Sequence, residues 1–90
     1  MQFPKDSNER IHLEKQVMSF LQLKIDGKLT TACSDTGFNY QMIYGQLNGY
    51  RICKISDIDS FVKSVDKNYQ VEMINGNPFV TKINDHVKSK

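Results

Sequence analysis

The chain has 90 residues, 39% of them hydrophobic, with five Phe, four Tyr, no Trp and a formal net charge of +2. That suits one small domain, apolar enough to fold, while a balance this weakly basic gives no argument of its own for a nucleic-acid partner. No apolar run reaches the ~18 residues of a membrane span, the opening MQFPKDSNER has no signal-peptide core, and Cys33 and Cys53 stand in no CxxC or Cys/His ligand spacing, so a cytosolic or nuclear chain with two buried free thiols is expected, one disulfide being the alternative.

Residues 1–5 read as a loose lead-in. A first helix is predicted over DSNERIHLEKQVMSFLQLKI, with Asp6 as its cap and Glu9 three residues later where a capping box places it. Leu13, Val17, Phe20, Leu21 and Ile25 fall on one side of it, and the Asp26-Gly27 pair ends it. From 29 to 47, Leu29, Cys33, Thr36, Tyr40, Ile43 and Leu47 recur at alternating steps of four and three, an inward stripe. Gly37 interrupts it at a cost of about 1 kcal/mol relative to Ala, which predicts either one imperfect helix or two pieces divided near Gly37. Phe38 and Met42 lie opposite the stripe, one turn apart, as a small outward patch.

Asn48-Gly49 signals a turn. YRICKI then reads as a short strand or a structured loop, with Ile52 and Ile55 inward. In SDIDSFVKSV, Ser56 is the expected cap, and Ile58, Phe61, Val62 and Val65 form the apolar face of a helix. YQVEM alternates Tyr69, Val71 and Met73 against Gln70 and Glu72; INGNP turns the chain; FVTKI returns with Phe79, Thr81 and Ile83 alternating. Pro78 belongs at a strand start or an edge. NDHVKSK is a flexible end or the start of a short C-terminal helix. The expected fold is α+β: a winged helix-turn-helix of three helices and a C-terminal two-stranded hairpin wing, one domain over residues 6–84.

Nothing here reads as an enzyme. His12 and His86 stand alone, the glycines follow no phosphate-binding pattern, and no metal-ligand spacing exists, so no catalytic residue, metal or cofactor is expected. Asp57 and Asp59 are two apart on a helix, so their side chains diverge and cannot share a proton; in a first turn they favour the helix dipole. In a winged helix that segment is the groove reader, and two carboxylates there disfavour DNA. Arg51, Lys54, Lys63, Lys67 and Lys82 are the candidate RNA-binding cations, with Lys88 a further donor.

One pattern goes further. Four residues separate Gly45 from the pair Tyr50-Arg51, a short link follows, and the next helix ends in Phe61, Val62, Lys63, Ser64 and Val65. With the alternating YQVEM and FVTKI, this resembles the LOTUS domain (OST-HTH) of germline RNA-regulatory proteins over roughly residues 13–83. The chain has Lys54-Ile55 where that family has a Gly-aromatic pair. The resemblance implies a non-catalytic adaptor docking a Vasa-type DEAD-box helicase through the second helix and a C-terminal helix. Carried onto this chain, those surfaces are Thr31, Ser34, Asp35, Phe38 and Met42, with Asp85, Val87 and Lys88. It also implies a cytoplasmic setting, with perinuclear germ granules. The alternatives are a module for G-rich or quadruplex RNA and a homodimerisation domain.

Overall fold

The structure, a computed structural model, describes residues 1–83. The expected C-terminal helix, with Asp85, Val87 and Lys88, lies outside the described residues. Among those described, the chain is α+β: β1 (Gln2–Phe3), α1 (Asn8–Ile25), α2 (Leu29–Thr36), α3 (Tyr40–Asn48), β2 (Cys53–Lys54), α4 (Ile55–Val65), β3 (Tyr69–Ile74) and β4 (Asn77–Lys82). The strands form two antiparallel pairs, β1 with β2 and β3 with β4.

The helix starts follow from who satisfies their free amides. Ser7, not Asp6, caps α1: its Oγ accepts from the Arg10 amide at 3.1 Å. Counted from Ser7, the third helical residue is Arg10, so Glu9 does not close a capping box. The 29–47 stripe divides in two. Gly37 takes φ +80°, and its amide and that of Phe38 both bond to the Cys33 carbonyl. Asn39 then caps α3, accepting from the Met42 amide at 2.9 Å. The break resets the helical phase, so Tyr40 is exposed rather than inward, while Ile43 and Leu47 stay buried. Helix α4 starts one residue before the expected Ser56, and no side chain caps it. The Ile55 amide bonds instead to the Met1 carbonyl at 3.0 Å.

That bond corrects the reading of residues 1–5. Gln2 and Phe3 pair with Lys54 and Cys53, and Phe3 is only 6% exposed. The connector therefore is a strand, though a two-residue one, and its inward residue is Cys53 rather than Ile52, which is 48% exposed. Both cysteines are free and buried. Burial pushes the Cys53 thiol up to about 11 and raises that of Cys33, which keeps both in the unreactive protonated form.

The core lies between α1 (Leu13, Val17, Phe20, Leu21), α2 and α3 (Cys33, Ile43, Leu47) and α4 (Ile58, Phe61, Val62). The β3–β4 hairpin closes its open side. Asn75 (φ +53°) and Gly76 (φ +82°) form a two-residue turn of the kind that fixes hairpin register. That register sets Val71 opposite Val80 and Met73 opposite Pro78. A strand's two faces alternate, so the inward residues of β4 are Pro78 and Val80, not Phe79, Thr81 and Ile83. Phe79 meets the His12 ring edge-on on the other face, at 4.7 Å. The Val71 and Val80 amides point out of the ribbon, one to Asp59 of α4 (2.8 Å) and the other to Gln16 of α1 (3.1 Å). Both edges of the hairpin are thus held by helix side chains.

Candidate interaction surface

The two aspartates of α4 are part of the scaffold. Asp59 holds the Val71 amide with one oxygen and Lys63 with the other, at 2.9 Å. Asp57 accepts from Gln46 Nε2 at 2.9 Å, and Gln46 Oε1 accepts from the Lys54 amide at 2.8 Å. Gln46 is the buried polar residue of the core, 3% exposed, and it clamps α3, β2 and α4 together. Gln46→Leu keeps the volume and removes both bonds, leaving a buried amide unpaired. The expected loss is about 1–3 kcal/mol of unfolding free energy in a urea titration; a loss below about 0.5 kcal/mol would show that the clamp is dispensable.

Arg10 does the same work on the other side of the connector. Its Nε donates to the Lys5 carbonyl (2.8 Å) and its Nη1 to the Leu47 carbonyl (2.7 Å) at the end of α3, where a cation also favours the helix dipole. The chain then reverses: the amides of Tyr50 and Arg51 both bond to the Gly45 carbonyl, at 2.9 and 3.1 Å. A Cβ on Gly45 would lie 3.0 Å from Arg51 Cγ, so any larger residue there would push the arginine stem off the helix by a few tenths of an ångström. This is the physical content of the Gly45 to Tyr50-Arg51 spacing.

Two features of one surface result. The first is a row of three tyrosines. Tyr40 and Tyr44 stand one turn apart on α3 with rings stacked at 5.4 Å, and the reversal returns Tyr50 beside Tyr44 at 6.0 Å and 14°. Tyr40 and Tyr44 are each 38% exposed and Tyr50 is 68% exposed. The second is an open groove of about 450 Å³, lined by Lys5, Met42, Tyr50, Arg51, Ile52 and Lys54 above Gln46 and Asp57. Tyr50 belongs to both. Among the described residues, the one carboxylate in the groove is Asp57, already bonded to Gln46.

The expected site residues divide accordingly. Arg51 and Lys54 come together, joined by Lys5, which the sequence reading assigned to the lead-in. Lys63 is on α4, ion-paired to Asp59; Lys67 and Lys82 are exposed at the start of β3 and the end of β4, outside the groove. Thr31, Ser34 and Asp35 are exposed on α2. Phe38 and Met42 do not point away from the core: both pack against it half-buried, and the Phe38 ring meets that of Phe61 at 5.6 Å and 72°. The tyrosine row was missed; the four-residue step from Tyr40 to Tyr44 was its only local signal. Among the described residues, no three His, Cys, Asp or Glu side chains group as metal ligands, and no helix is long and apolar enough to cross a membrane. Comparison with protein-family models, curated proteins and solved structures returns no match.

Proposed function

We propose that this domain is a non-catalytic RNA-binding module of winged helix-turn-helix, LOTUS-like type, working through the face of α3, the connector and the N-terminal arm. The observation that carries this reading is that Tyr50, the end ring of the exposed tyrosine row, meets Lys5, Arg51 and Lys54 in one groove, whose one carboxylate among the described residues, Asp57, is bonded to Gln46. Cations on one face recruit phosphates, and aromatic rings beside them give bases something to stack on. The order of three helical segments, α4 and a hairpin supports the winged-helix part. In that frame α4 is the groove-reading helix, yet Asp57, Asp59 and Lys63 are engaged within the fold, which disfavours duplex DNA.

A second reading, the adaptor for a Vasa-type helicase, has its own support. A shallow cleft between α2 and α4, lined by Ile25, Ala32, Asp35, Thr36, Ser64 and Val65, adjoins the exposed Ser34 and Asp35. A cytoplasmic germ-granule setting belongs to the same LOTUS resemblance, as does homodimerisation.

The test measures anisotropy of a labelled single-stranded oligoribonucleotide against salt. Three phosphate contacts give a log–log slope of about −2. The triple variant Lys5→Gln, Arg51→Gln, Lys54→Gln is expected to lose the affinity and most of that slope, whereas Lys63→Gln, Lys67→Gln, Lys82→Gln keeps both. Absence of salt-dependent binding would overturn the RNA reading, and retention of a purified helicase core after nuclease treatment would put the adaptor in its place.

A further inference from the structure

We infer that the RNA this face takes is unpaired, with one nucleobase lying on the free face of Tyr50 and its flanking phosphates on Arg51 and Lys54. The inference rests on the RNA reading above and narrows it. Tyr50 has one ring face covered by Tyr44, at 6.0 Å and 14°, and is still 68% exposed, so its other face is open. The backbone beneath the ring is fixed by the bond from the Tyr50 amide to the Gly45 carbonyl at 2.9 Å, and Tyr44 limits the ring on one side. Ordering a side chain on binding costs affinity, and these contacts reduce that cost.

The same geometry says what does not fit. Stacked bases rise about 3.4 Å each, so a base between two rings needs them roughly 7 Å apart. The rings of the row are 5.4 and 6.0 Å apart, which closes the interior of the stack. A row stacked ring on ring presents a terminal face at each end, each the size of one base, and of the two end rings only Tyr50 lines the cation groove. One such face is too small for the four-base plane of a quadruplex. A duplex keeps its base faces inside and offers only edges and backbone. What remains is a splayed, unpaired base, accepted with little sequence preference because every base has a flat face. Arg51 follows Tyr50 directly and Lys54 lines the same groove, so the phosphates on either side of that base meet cations.

Affinities compared at matched salt, with the oligouridine also titrated across a salt series, test this. The probes are an unstructured oligouridine, an RNA duplex of equal length and a G-rich quadruplex. The intact domain is expected to prefer the oligouridine. Tyr50→Ala is expected to weaken it roughly 5- to 150-fold with the salt slope unchanged, while Tyr50→Phe restores affinity near that of the parent. Tyr50 lies outside the core, and a melting curve on each variant checks that the fold is kept. Equal or tighter binding of duplex or quadruplex, or full affinity in Tyr50→Ala, overturns the inference and leaves the RNA reading standing. No binding to any of the three overturns both.

Discussion

Phe61→Ala is expected to cost about 3–5 kcal/mol, the range for removing a buried Phe side chain and leaving its cavity. A domain of this size has roughly 5–13 kcal/mol in total, so the variant is expected to melt some 15–30 °C lower and to be largely unfolded in mild urea. Phe61 heads the fully buried side chains in size, and it lies on the α4 face that also carries Ile58 and Val62. Its ring takes the edge of Phe38, so the cavity would open between α4 and the α2–α3 break. The measurement is a urea titration of both proteins at equal slope; a loss under about 1 kcal/mol would show that the centre of the core lies elsewhere.

Phe3→Ala tests the N-terminal arm and is expected to cost about 2–4 kcal/mol, somewhat less than a Phe at the centre of the core because a two-residue strand can give way around the gap. The prediction has a local readout as well as a global one. The Ile55 amide is bonded to the Met1 carbonyl, and Phe3 is the side chain that holds the arm down. Hydrogen exchange at Ile55 is therefore expected to speed up in Phe3→Ala by more than the loss of global stability explains, while the Val71 amide, held by Asp59, follows the global value. If residues 1–5 were a loose lead-in, neither stability nor Ile55 exchange would change.

Signals confined to a few residues were readable. The apolar faces of α1 and α4, the halt at Asp26-Gly27 and the Asn-Gly turn of the hairpin all follow from spacing or local backbone preference. Inferences that carried a phase across a break failed. The stripe drawn through Gly37 put Tyr40 inside, and the face drawn opposite it put Phe38 outside, because both assumed one continuous rotation; the left-handed residue at Gly37 resets it. The sheet faces of β4 were misread by one residue, since only the turn geometry fixes which side Pro78 and Val80 take. The interaction surface was hardest to foresee. Lys5 reaches the groove because Arg10 joins its carbonyl to that of Leu47, across 37 positions of sequence from Arg10, and Tyr50 reaches Tyr44 because the chain folds back on Gly45. The Arg10–Leu47 bond lies outside any window of sequence, and the reversal at Gly45, though local, follows neither the helical nor the strand period. The aspartates of α4 were read as first-turn partners of the helix dipole, and their bonds to Gln46 and the Val71 amide, 11 and 12 positions away, lie outside that local pattern.

The bond from Gln16 to the Val80 amide joins positions 64 apart. It has a consequence for synthesis. As the chain leaves the ribosome, α1 emerges ahead of the other described helices with one flank bare, and the strand that covers that flank is the last described element to be made. Contacts this distant in sequence form late, so the helices must wait, partly assembled and exposing apolar surface, until β4 is free. A pause in translation before residue 80 would lengthen that wait, and a chain cut short there would be a substrate for chaperones rather than a smaller working domain.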